Sequence, residues 1–272
     1  MSARQPSLAV IVALPLALVA ACATYTERTA DALRDFQSGQ FAAAAQTYAD
    51  PETTDSAFLA GAEAGTVALT AGDWPAALEH FHRAAAVVED IEGRALAGPE
   101  RLGEALASWA LNDTARAYEG EGFERVYLHC GLALAYLAQG KVDDVYVEAR
   151  RANQLLEAEE ALYETKYEAG GFGHLVSAVT YELIGELDDA LIDYQRMEEK
   201  GVGTAIAGRA LVRLAQRLGR DDLLPALEEK YGADAEIPAG SATVVVLAGI
   251  GLGPYKVESG LTLPLRYPAT LV

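Results

Sequence analysis

The sequence predicts an all-α protein: an α-solenoid of stacked helix hairpins with a short C-terminal β-hairpin. Three observations carry that expectation. A glycine-centred pattern recurs along the chain. A stretch of 27 residues, 142–168, contains neither glycine nor proline. The hydrophobic period turns from helical to strand-like only after Tyr231.

The recurring pattern places an apolar or aromatic residue two after the glycine, a small residue five after it and an aromatic nine after it. It reads Gly39-Phe41-Ala44-Tyr48, Gly72-Trp74-Ala77-Phe81 and Gly185-Leu187-Ala190-Tyr194, with a weaker copy at Gly140-Val142-Val145-Ala149. Seven before each glycine stands a small residue, Ala32, Gly65, Ala133 or Ala178, and Tyr136 and Tyr181 stand four before it in the later two copies. Successive glycines are 33, 68 and 45 residues apart, and a degenerate copy at Gly219 follows after 34 more. The glycine ends the first helix of a hairpin in a left-handed conformation. The small residues let the two helices approach, and the aromatic fills the gap to the next hairpin. One hairpin cannot bury its apolar face alone, so hairpins stack. The period and the small and aromatic positions resemble the tetratricopeptide repeat over residues 25–231. An irregular helical bundle is the competing arrangement.

Between Gly93 and Gly122 the register breaks. Gly98-Pro99 reads as the start of a helix with Leu102, Leu106 and Trp109 on its apolar face, and Asn112-Asp113-Thr114 supplies a break and a cap. Val142 to Glu168 reads as one long helix, followed by a glycine linker at 170–173. About ten helices are expected in all. Near the C-terminus, residues 243–248 form a β-branched apolar run and residues 255–259 alternate with period two. They read as a hairpin within 243–265. Two strands alone are marginal in water, so this hairpin either docks near Leu223 to Leu227 or adds to a partner strand.

The N-terminus reads as a targeting segment. Arg4 supplies a short positive region, and residues 8–21 are uncharged, with one proline. The run is shorter than the roughly 20 apolar residues a spanning helix needs. Val19-Ala20-Ala21-Cys22 fits a lipobox, in which small residues admit the backbone to the peptidase and the Cys22 thiol accepts a diacylglycerol. The expected organisation is a lipoprotein signal peptide at 1–21, a helical-repeat domain at 22–231 and a short β appendage at 232–272. An ordinary signal peptide and an uncleaved buried helix are the other accounts of this segment. Ala23, where a retention aspartate would stand, favours the outer membrane.

Removing residues 1–21 takes Arg4 with them, so the formal charge moves from −19 to −20. That balance argues against nucleic acid, whose binding needs phosphate neutralisation. Cys130 sits in the apolar stretch LHCGLALAYL and reads as a small core residue. His80 and His82 lie two apart on a helix and diverge by about 200°, so they cannot share a metal; no metal or cofactor is expected. Asp143-Asp144 and Asp188-Asp189 stand at starts of second helices, where they favour the positive end of the helix.

Two further stretches, 118–126 followed by LHCGLALAYLAQG and Val147-Glu-Ala-Arg-Arg-Ala-Asn153, resemble a family of uncharacterised bacterial tetratricopeptide-like lipoproteins, as do the lipobox and VVVLAGIGLGPYKVESGLTLPL. The resemblance implies a chain that continues past the stretch ending at Lys256, and it implies no catalytic residues. Glu121, Glu124 and Arg125, with Arg150 and Arg151, are the candidate partner-binding residues, a polar notch beside a break in the stack; bracing of the long helix is their alternative role. The expected function is a non-enzymatic scaffold at the periplasmic face of the outer membrane that grips a protein or peptide. The alternative is a regulatory lipoprotein that activates a peptidoglycan-synthesising enzyme.

Overall fold

The computed structural model describes residues 24–95, 118, 120–163 and 170–233. Chain packing separates Met1–Glu236 from Ile237–Val272, and everything described below belongs to the first unit. Cys22, the helix expected after Pro99 and the strands expected within 243–265 lie outside the described residues.

Among the described residues all regular structure is helical, in twelve helices. Five pairs form hairpins, each turning at one of the glycines singled out above: α2 (Ala30–Gln37) with α3 (Phe41–Tyr48), α5 (Ala57–Ala71) with α6 (Trp74–Ala95), α7 (Gly122–Ala138) with α8 (Val142–Tyr163), α9 (Gly171–Ile184) with α10 (Leu187–Lys200), and α11 (Thr204–Leu218) with α12 (Leu224–Tyr231). Two single-turn helices, α1 (Tyr25–Arg28) and α4 (Pro51–Thr54), bring the number above the ten expected. Each described helix packs on the next described one, and α5, α7 and α9 also touch in series.

Gly39, Gly72, Gly140, Gly185 and Gly219 all have φ between +63° and +88°. That conformation lets the chain reverse after one residue and costs a residue with a Cβ roughly 1–2 kcal/mol. A Cβ at Gly185 would meet nothing within 4 Å, and one at Gly72 only the Trp74 ring at 3.6 Å. Gly72→Val and Gly185→Val are therefore expected to lose about 1–2 kcal/mol each in chemical denaturation, from backbone strain alone. A loss far larger at either site would show that space, not φ, selects glycine there.

The small and aromatic positions are buried as the pattern requires. Ala32, Ala133 and Ala178, seven before the glycines, and Ala44, Ala77, Val145 and Ala190, five after, lie in the core. Phe81, nine after Gly72, is held between two glycines. An ideal Cβ on Gly65 would lie 2.5 Å from its ring and one on Gly131, in the next hairpin, 2.7 Å. Gly65 thus seats the aromatic against its own hairpin, and Gly131 admits it to the following one. Cys130 is buried beside Val126, Ala133 and Leu156, and burial pushes its thiol up to about 12.

One sequence expectation is corrected. Gly170 to Gly173 is not a linker: Gly170 is the N-cap of α9, and Gly171 and Gly173 are buried inside the helix. A Cβ on Gly173 would lie 2.8 Å from Leu156 and Val126, and one on Gly171 would collide with Val202. These glycines serve close packing of α9 on its neighbours, not chain reversal. Helix α8 ends at Tyr163, and residues 164–169 lie outside the described residues.

Candidate functional site

The second helices of hairpins two, three and four carry charge at matching register. Counting from each hairpin glycine, the position eleven before and the position eight after face each other. In the third hairpin these are His129 and Glu148, with Nδ1 2.6 Å from Oε2. In the fourth they are His174 and Asp193, with Nδ1 2.9 Å from Oδ1. A carboxylate only accepts, so each imidazole presents its Nδ1–H to it. Both pairs are buried between the helices of their own hairpin. In the second hairpin the same positions hold Gly61 and His80, and a Cβ on Gly61 would lie 2.7 Å from the His80 carbonyl oxygen.

Eleven after the glycine stands an arginine in each of these hairpins: Arg83, Arg151 and Arg196. Arg83 contacts the His80 ring. Arg151 reaches Glu148 at 3.4 Å and, in the preceding hairpin, Glu89 at 3.7 Å. Arg196 reaches Asp193 at 3.7 Å and, again in the preceding hairpin, Glu157 at 2.8 Å. Glu89 and Glu157 both lie seventeen after their own glycines. One hairpin thus hands a carboxylate to the arginine of the next, and that arginine touches the carboxylate of a buried histidine pair.

Among the described residues, two clefts lie between successive second helices. The first cleft, about 330 Å³, lies between α6 and α8, with Glu89, His129, Arg151 and Gln154 in its lining. The second, about 550 Å³, lies between α8 and α10, with Tyr146, Arg150, Asn153, Gln154, Tyr181 and Ile192 in its lining. Gln154, on α8 between them, borders both. Each is crossed by one Glu–Arg link. In the second cleft the Arg150 guanidinium stands 5.7 Å above the Tyr146 ring, Tyr146 packs edge-on against Tyr181, and Asn153 donates to Asp193 Oδ2 at 2.9 Å. Ile192 is exposed beside them.

The residues expected to form one notch do different things. Glu121 is the N-cap of α7, and Glu124 accepts its backbone N–H at 2.8 Å and the Tyr118 hydroxyl. Burial pushes the Tyr118 hydroxyl up, and Glu124 reinforces the shift. The Arg125 Nε is buried with no hydrogen-bond partner among the described residues. Arg151 belongs to the inter-hairpin ladder and the first cleft, whereas Arg150 lines the second. Sequence reasoning passed over His129, His174 and Asp193. The repeated offsets of minus eleven and plus eight were the signal that could have found them.

Among the described residues no group of three histidine, cysteine or acidic side chains could hold a metal ion. His80 and His82 have separate partners, the latter with Nε2 2.7 Å from the Tyr136 hydroxyl. No described helix is long and apolar enough to cross a membrane. No protein-family model, curated protein or solved structure matches this chain.

Proposed function

We propose that this chain is a lipoprotein of the bacterial envelope, anchored through Cys22 at the periplasmic face of the outer membrane, whose tetratricopeptide-like solenoid is a scaffold for an extended segment of a partner protein. The observation that carries the scaffold reading is the pair of clefts on consecutive hairpins, crossed by equivalent Glu–Arg links and both bordered by Gln154. Amide side chains, two tyrosines, an arginine and the exposed Ile192 suit a polypeptide, which offers backbone N–H and C=O groups beside apolar side chains. The lipobox supports the anchor.

A photo-crosslinking residue placed at Gln154 of the full chain in bacterial cells tests the scaffold. A covalent adduct with a protein is expected. Adducts with glycan alone, or none, would sink this reading. Arg150→Ala should abolish the adduct while leaving Tm unchanged, because this exposed guanidinium stacks on Tyr146 at the surface. The identity of the adduct separates an envelope-assembly component from a peptidoglycan-synthesising enzyme. Cys22→Ser should leave an unprocessed, unacylated chain by mass spectrometry, and an unmodified N-terminus elsewhere in the wild-type protein would end the lipoprotein reading.

A further inference from the structure

Thr24, the first described residue, stands two residues after Cys22. Thr24 caps α1: its backbone N–H donates to Glu27 at 2.8 Å, and its hydroxyl accepts from the Glu27 N–H at 3.4 Å. Helix α1 is then tied to the body at both ends. The Tyr25 hydroxyl donates to Glu63 of α5 at 3.0 Å. Arg28 donates through Nε to the Thr53 carbonyl at 3.1 Å and pairs with Asp55 at 3.3 Å. Thr29, buried behind them, donates to the Tyr25 carbonyl at 2.9 Å. Contacts to α4 and α2 complete the seat.

Covalent geometry limits what lies between. Three peptide units separate the Cα atoms of Cys22 and Tyr25, a reach of at most about 11 Å. The headgroup layer on one side of a bilayer is itself about 5–8 Å deep. An acyl chain on Cys22 holds that residue at the inner edge of this layer, so α1 has almost no slack with which to leave it.

We infer that the anchored chain has no tether: the helical body sits directly on the headgroup layer, with the face that carries α1 and α4 towards the lipid. This rests on the lipid-anchor reading above. The chemistry of that face says what kind of contact it is. Glu27, Asp50 and Glu52 are exposed there, and among the described residues of α1 and α4 the one cation, Arg28, is engaged by Asp55. Attraction to anionic lipid needs clustered Lys and Arg, each worth about 1 kcal/mol near the surface. The described residues of α1 and α4 offer no such cluster, so the anchor imposes the contact, and zwitterionic headgroups are the surface these residues fit. Glu124 and Tyr118 lie close to the same seat: Glu124 acts electrostatically on both Tyr25 and Glu63, and Tyr118 bonds Glu124. The carboxylate of Glu124 at the start of α7 therefore lies near the membrane.

The test uses the full chain with Glu52→Cys, expressed and acylated in a bacterial host, labelled with a fluorophore and reconstituted in phosphatidylcholine vesicles carrying nitroxide on some headgroups. Acylation consumes Cys22 and Cys130 is buried, so the label goes to residue 52. A second chain carries a Gly-Ser insertion of about 20 residues between Ala23 and Thr24, with a root-mean-square span of about 25 Å. Strong quenching is expected in the first chain, falling at least about two-fold with the insertion. Equal quenching in both chains, or weak quenching in both, overturns the seating. Intact mass of the same samples reads acylation separately. An unacylated Cys22 sinks the anchor reading, whereas an acylated chain with equal quenching sinks only the seating.

Discussion

Asp193→Ala is expected to destabilise the protein by about 3–5 kcal/mol, as removal of one partner from a buried ionic network does. Asp193 is 1% exposed. It accepts from His174 Nδ1 through one oxygen and from the Asn153 amide through the other, and Arg196 approaches at 3.7 Å. Alanine withdraws the acceptor and keeps the donors, and buried donors that lose their acceptor bear the full desolvation penalty. The pair His174→Leu with Asp193→Leu removes the imidazole together with its acceptor, leaving only Asn153 and Arg196 to lose a partner, and should cost less, since apolar replacements of a buried pair are often neutral. Chemical denaturation of both variants decides the matter. A double variant as unstable as Asp193→Ala would mean that the loss reflects shape at this position and not the polar network.

Phe81→Ala is expected to cost about 3–5 kcal/mol, the usual loss for a large buried aromatic. The ring is packed on Gly65 of α5 and Gly131 of α7, within a cluster that includes Leu78, Leu128 and Leu132. Its removal empties the joint between the second and third hairpins. Alanine at Gly65 has opposite meanings in the two backgrounds. In the native chain it forces the ring aside, an overpacking loss of about 1–3 kcal/mol. In Phe81→Ala the same methyl enters vacated space, so Gly65→Ala should be neutral or stabilising there. The sign change is the measurement, read from a double-mutant cycle. Additive losses would show that Gly65 and Phe81 do not share one space.

What the sequence showed clearly was steric. A left-handed glycine, a small residue where helices cross and an aromatic at a hairpin joint each leave a residue type at a fixed offset, and Gly72, Gly65 and Phe81 sit where those offsets place them. Electrostatic partnership left no such mark on any single residue. His129 stands in LHCGLALAYL, a stretch legible as core, and its partner Glu148 is nineteen residues away on another helix. Only alignment of Glu148 with Asp193 against their glycines makes the pairs visible. Arg150 and Arg151 were grouped because they adjoin in sequence, but neighbours on a helix differ by about 100° in direction, and they enter different clefts. Gly171 and Gly173 read as part of a linker in the sequence because glycine ends helices in isolation. Close approach of Val202 and Leu156 is what keeps it inside one here.

The Glu–Arg links also have a first and a last member. The position that supplies Glu89 and Glu157 is Ser56 in the first hairpin and Val202 in the fourth. Ser56 caps α5, accepting from the Leu59 N–H at 3.1 Å, and donates to the Tyr118 carbonyl. Val202 lies against Gly171. Neither offers a carboxylate to a following arginine. Arg83 accordingly turns to His80, and the fifth hairpin carries Lys230 at the arginine position, where it pairs with Glu198 at 2.6 Å. The side chains thus number the units: only the joints between hairpins two and three and between three and four accept this linkage. A copy of the third hairpin would find a complementary neighbour beside Glu157 and none beside Val202, where the fifth hairpin is joined instead through Lys230 and Glu198.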